Sequence, residues 1–180
     1  MTTTAFLIID VQRMLFSGKY EVFDSRRVIN RINYVTGTAR RAGAPVIVIQ
    51  HEEPGSPMAH GSEGWQLDPE LAVQPADVYV RKTTCDSFHK TALDEILKTR
   101  GITQLVVCGA QSEFCVDSTV RGALALGYPT TLVSDGHTTI GNGVLTAAQI
   151  IEHHNVTLRH VDSFGPRVRA VAAADVKIEA

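Results

Sequence analysis

The stretch LVVCGAQSEFCVDSTVR, residues 105–121, decides how the chain is read. Leu105, Val106, Val107 and Cys108 form a continuous apolar run, the pattern of a strand in a parallel sheet covered on both faces. The pattern then breaks. Gly109 and Ala110 allow a tight turn, Ser112 offers a side-chain oxygen as helix N-cap, and Phe114, Val116, Val120, Ala123, Leu124 and Leu126 recur at helical spacing until Gly127. Cys115 therefore falls in the first turn of a helix, where unpaired N–H groups and the positive end of the dipole favour a thiolate. Strand, turn and cysteine together form the thiol counterpart of a nucleophile elbow. The same residues also read as a packed, inert cysteine.

Working outward, the spacing predicts a strand at 5–9 ending in Asp10, an amphipathic helix over 25–41 stopped by Gly43, and a strand at 45–49. A third strand at 77–80 runs into Arg81 and Lys82. A helix over 91–100 follows, with Ser87 as a candidate cap and Gly101 as its stop. Beyond the central unit come a strand at 129–133, a loop of Ser134, Asp135, Gly136 and His137, a helix over 144–154 and a last strand at 156–161. The tail from Asp162 to Ala180 is weakly patterned, with a loose strand or helix at an oligomer contact as its expected use. Alternation of this kind specifies an α/β fold, a doubly wound, mostly parallel six-stranded sheet with helices on both faces. Residues 50–75 stand apart: they carry most of the prolines, Trp65 and two histidines without periodicity, and a loop that long is expected to cover a pocket lined by His51 and Trp65.

At 180 residues the chain is read as a single domain, 1–180, large enough to bury a core without disulfide or metal. A net charge of −2 gives no electrostatic reason to expect nucleic acid or an anionic membrane as partner. The first ten residues lack the basic start of a signal peptide, and Cys85, Cys108 and Cys115 are an odd set without metal-like spacing. Both features lead to a cytoplasmic expectation with reduced thiols.

In such sheets ligands bind beyond the carboxyl ends of the strands. Three reactive side chains fall there: Asp10, Lys82 and Cys115. A carboxylate can take the proton of a thiol, and an ammonium stabilises the negative charge the two share. A loop cap remains the other reading of Asp10. No phosphate-binding glycine motif and no H-E-x-x-H are present; His137 could pair with a thiol, and His51, Glu53 and His60 could hold a metal, but neither spacing is specific.

The pieces LIIDVQ (7–12), Lys82 after a strand, GSEGWQLDPEL (61–71), VVCGAQSEFCVDST (106–119) and LVSDGHTT (132–139) occur in the order of the isochorismatase-like cysteine hydrolase superfamily, which includes nicotinamidase and related amidases. The chain resembles that superfamily over nearly its whole length. The resemblance implies a catalytic triad of Asp10, Lys82 and Cys115, a cis peptide between Ala110 and Gln111, and an oxyanion hole from the backbone N–H groups of Gln111 and Cys115. It also implies a small-molecule amide as substrate and a homo-oligomer, dimer or tetramer. Substrate contacts are expected from Gln12, Phe16, His51, Trp65 and Phe114. Metal-binding nicotinamidases carry Asp-x-His after the second strand, where this chain has Gln50, His51, Glu52 and Glu53, so no metal or other cofactor is carried over. Branches of the superfamily that cleave a vinyl ether do not all need the cysteine. Amide hydrolysis, vinyl-ether hydrolysis with Asp10 as acid, and a non-catalytic binding scaffold thus stay open on sequence.

Overall fold

In the first strand, β1 (Thr4–Ile9), every side chain is buried, so this strand has no solvent face and must lie inside a sheet covered on both sides. A computed structural model describes residues 3–178, and β1 is at its centre. The strands β2 (Val46–His51), β3 (Val78–Lys82), β4 (Gln104–Ala110), β5 (Thr130–Thr138) and β6 (Val168–Val171) pair in the order β3-β2-β1-β4-β5-β6. Every pairing is parallel, so the sheet is wholly rather than mostly parallel.

The alternation along β1 sorts the core into two layers. Phe6 and Ile8 face a layer with Val28, Ile29, Ile32, Val35 and Ala39 of α2, the helix Ser25–Arg41, which follows the short α1 (Arg13–Phe16). Ala5, Leu7 and Ile9 face the other layer, with Leu93 and Leu97 of α3 (Leu93–Thr99), Val120, Ala123 and Leu124 of α4 (Asp117–Ala125) and Leu158 of α5 (Ala147–Arg159). Helices cover both faces, as continuous apolar strands require.

Four local expectations are corrected. Ser112 does not cap a helix: residues Ser112–Val116 form a π-turn, with Val116 N–H donating to Gln111 at 3.1 Å, and the Ser112 hydroxyl turns instead to His137. The Ser87 hydroxyl bonds Thr119 rather than capping α3. The strand at 129–133 continues to Thr138 through a register shift against β4, so Ser134 to His137 belong to β5 and not to a loop. The segment 156–161 is mostly the end of α5. Its short run of Val156, Leu158 and Val161 among polar residues mimics a strand, but Leu158 continues the buried helical face of Ile150 and packs in the core. The last strand is β6, inside the stretch read as an unpatterned tail, and Ala173–Asp175 after it form a 3₁₀ turn against α2. Residues 179 and 180 of that tail lie outside the described residues.

The start of α5 was encoded more sharply than its spacing suggests. Thr146 accepts from Gln149 N–H while the Gln149 side chain accepts from Thr146 N–H, a reciprocal capping box that sets the first turn at Ala147.

Candidate active site

The strand order reverses between β1 and β4, and this places their carboxyl ends side by side at the crevice where such sheets bind ligands. Glycine is required there. Gly109 has φ +122°, and a Cβ on it would stand 2.0 Å from the Ile9 carbonyl oxygen, so only a bare backbone lets β4 approach β1 this closely. Past β1, Asp10 turns the chain at φ 52°, in the left-handed region, with its N–H held by the Ile49 carbonyl at 3.0 Å. Past β4, the Ala110–Gln111 peptide is cis and the π-turn carries Cys115.

Lys82, the last residue of β3, reaches this point from beyond β2. Its side chain is fully buried, and Nζ donates to Asp10 Oδ2 at 2.7 Å and to Cys115 Sγ at 3.2 Å. Asp10 is buried as well, and its second oxygen, Oδ1, has no hydrogen-bond partner. Burial works against the Lys82 charge, but the charges and hydrogen bonds of Asp10 and Cys115 outweigh it and hold the ammonium above its ordinary range. For Cys115, burial and then the Asp10 carboxylate push the thiol up, with Lys82 opposing. The thiolate expected from a helix start is therefore corrected: Cys115 rests as a thiol, because burial and, after it, the carboxylate beside the sulfur outweigh a helix end.

The five substrate contacts expected from sequence fall in different surroundings. Phe16 is fully buried and packs in the α2 layer, out of reach of a ligand. Gln12 is also fully buried and spends its amide on the main chain: Nε2 donates to His51 O and Trp65 O, both at 2.9 Å, and Oε1 accepts from His51 N–H at 2.9 Å. It braces the end of β2 against the long segment that follows. Phe114, beside Cys115, is half exposed. Trp65 stands edge-on to His60 with ring centroids 4.6 Å apart, and its indole Nε1 has no partner.

His51 is half-buried at the end of β2, with Nδ1 3.4 Å from Lys82 Nζ. Burial first and the Lys82 charge second hold its pKa below the ordinary imidazole value. Among the described residues no three His, Cys, Asp or Glu side chains come together as a metal cluster.

Sequence spacing missed a second polar set behind the π-turn. Ser112 bonds His137 Nδ1 at 2.8 Å, His137 Nε2 bonds Asn155 Oδ1 at 3.0 Å, and Asn155 Nδ2 donates to Ser134 O at 3.1 Å. The last bond fixes the Asn155 amide, so His137 donates from Nε2 and accepts the Ser112 hydroxyl at Nδ1. Burial keeps this imidazole neutral, pushed down to about 4. His137 is thus a packed structural group joining three elements and is not a base for Cys115. The signal present in sequence was a histidine four residues beyond the apolar run 129–133.

The Isochorismatase domain family matches residues 4–162. Streptothricin hydrolase of Streptomyces noursei is 40% identical over 136 residues, covering 75% of this chain and 49% of that protein. The chain thus spans about half the length of that relative. A ureidoacrylate amidohydrolase of Caulobacter segnis is 30% identical over 170 residues, covering 74% of this chain and 71% of that protein. The crystal structure of an isochorismatase family protein superposes with a TM-score of 0.85 at 35% identity, over 94% of this chain and 99% of the other.

Proposed function

The chain belongs to the isochorismatase family of hydrolases, and from that premise we propose that it cleaves a small-molecule amide C–N bond through a thioester on Cys115. One observation carries the reading. A buried ammonium is hydrogen-bonded at once to a carboxylate and a thiol, at 2.7 and 3.2 Å, while the carboxylate keeps a second oxygen free. A binding scaffold gains nothing from burying that set, since desolvating two charges costs several kcal/mol each, of order 5, before their attraction offsets it.

Asp10 takes the thiol proton as Sγ attacks the carbonyl carbon, and the C–S bond forms as the carbonyl electron pair moves to oxygen. The Lys82 ammonium, bonded to both Asp10 and Cys115, stabilises the single negative charge as it passes from the carboxylate through the sulfur towards the carbonyl oxygen. Backbone N–H groups of Gln111 and Cys115 receive the oxyanion; loss of one such donor typically costs about 3 kcal/mol of transition-state stabilisation. Collapse expels the amine, which leaves with the proton held by Asp10. Water, deprotonated by Asp10, then cleaves the thioester and restores the thiol. A relative that is itself an amidohydrolase supports amide over vinyl-ether chemistry.

The test is a panel of small carboxamides and ureido compounds, with isochorismate included, assayed with wild type and Cys115→Ala. Hydrolysis of an amide or ureido compound by wild type, lost at least 10³-fold in the variant, is the expected result. Amide turnover that survives Cys115→Ala, or turnover of isochorismate alone, overturns the thioester scheme.

A further inference from the structure

A lysine ammonium has three N–H donors and no acceptor. Lys82 is sealed from water, so each of those donors needs a protein acceptor. Asp10 Oδ2 and Cys115 Sγ take two, and the group facing the third is His51 Nδ1, at 3.4 Å. Because the ammonium offers no lone pair, Nδ1 must be the acceptor and the imidazole must be neutral, with its N–H on Nε2. The Thr84 backbone is a hydrogen-bond partner of the same ring.

The placement of His51 follows from the sheet. His51 and Lys82 are register partners at the ends of β2 and β3, and Gln12 clamps the His51 backbone from both sides, at its N–H and its carbonyl. Gln12 itself follows Asp10 by two residues, so the acceptor for the third proton is tied to the strand end that supplies the first. The other charged groups facing His51 are Asp10 and Glu53.

We infer that His51 is a positioning residue: it accepts the third proton of Lys82 and thereby fixes the ammonium between Asp10 and Cys115. This rests on the reading of Lys82, Asp10 and Cys115 as the reacting set. It replaces a substrate contact as the use of His51, since the ring nitrogen that faces the site is already engaged by the ammonium.

The experiment compares His51→Leu and His51→Ala, which remove the acceptor, with His51→Asn, whose Oδ1 restores an acceptor near the position of Nδ1. Two readouts are taken on folded protein, verified by thermal denaturation: the pH profile of Cys115 alkylation by iodoacetamide, located by mass spectrometry, and kcat and KM on an amide that wild type turns over. The first needs no substrate, so it tests His51 even if the amide reading fails. Removal of the acceptor is expected to slow alkylation at neutral pH and to lower kcat, each by roughly tenfold or more, the size of a hydrogen bond to a charged group, with KM little changed. His51→Asn is expected to recover most of both. A variant set in which Leu, Ala and Asn behave alike overturns the inference, and so does a raised KM with unchanged kcat and alkylation, which would return His51 to the role of substrate contact.

Discussion

At Asp10 the two neighbours of one carboxylate make opposite demands. Lys82 Nζ is bonded to it at 2.7 Å, while in the proposed mechanism it must take the proton of Cys115, whose thiol it pushes up in addition to burial. Replacing Asp10 by Asn removes the repelling charge and leaves the ammonium beside the sulfur, so Cys115 in that variant alkylates faster at neutral pH than in wild type. Turnover of an amide falls at least 10²-fold in the same variant, because nothing remains to protonate the departing amine. Lys82→Met moves both quantities down together. An Asp10→Asn variant that alkylates more slowly than wild type would mean that the carboxylate does not set the thiol's charge state. All three side chains were within reach of a sequence reading because each lies at or just past the carboxyl end of a strand, Asp10 after β1, Lys82 ending β3 and Cys115 in the turn that follows β4, and the sheet type fixes where strand ends go. The charge state was not legible. It depends on a carboxylate and a thiol that are about a hundred residues apart in the chain and meet only through β1–β4 pairing.

Between elements, the π-turn, β5 and α5 are joined by Ser112, His137 and Asn155. Their partners lie 25 and 18 residues apart, so no local pattern announces them. Spacing placed His137 in a loop because a register shift inside β5 interrupts the apolar run; the strand in fact carries it into the interior. Its burial has a thermodynamic consequence. The folded imidazole protonates near pH 4, whereas the unfolded chain takes up that proton near pH 6.5. The unfolded state therefore binds more protons between those values, and the stability that His137 contributes is fully present above about pH 6.5 and drains away as pH falls to about 4. The whole change is roughly 3 kcal/mol. Chemical denaturation from pH 7 to pH 4 measures it. The His137→Gln variant is expected to be less stable at pH 7 but to lose less on acidification. An unaltered slope would assign the loss to other groups.

Across the whole molecule, the long segment between β2 and β3 runs from the carboxyl end of the sheet, at His51, back to the amino end, at Val78. Sequence marked it as a functional loop but showed nothing of what holds it, since its restraints come from residues outside it. At the site end Gln12 and Gln50 donate to the Trp65 carbonyl, at 2.9 and 3.0 Å. At the far end α2 grips it: Asn33 donates to Glu70 O and accepts from Ala72 N–H, and Arg40 forms a two-pronged pair with Asp77, at 3.0 and 2.6 Å, while bonding Ala72 O. Asp77 is almost wholly buried and Arg40 mostly so, which makes this pair costly to break from one side. The two anchors do different work, and two variants separate them. Arg40→Ala leaves the Asp77 carboxylate buried without its partner and should cost on the order of 2 kcal/mol in denaturant unfolding, with kcat and KM unchanged, because nothing at the far end touches the reacting set. Gln12→Leu takes the donor from the His51 and Trp65 carbonyls and the acceptor from the His51 N–H, and should cost about as much. It should also lower kcat and slow Cys115 alkylation, since the His51 backbone it frees is the one that presents an acceptor to Lys82. Equal effects of the two variants on alkylation would mean that the segment acts as one rigid cover; an effect of Gln12→Leu alone means that the site is braced only at its own end of the sheet.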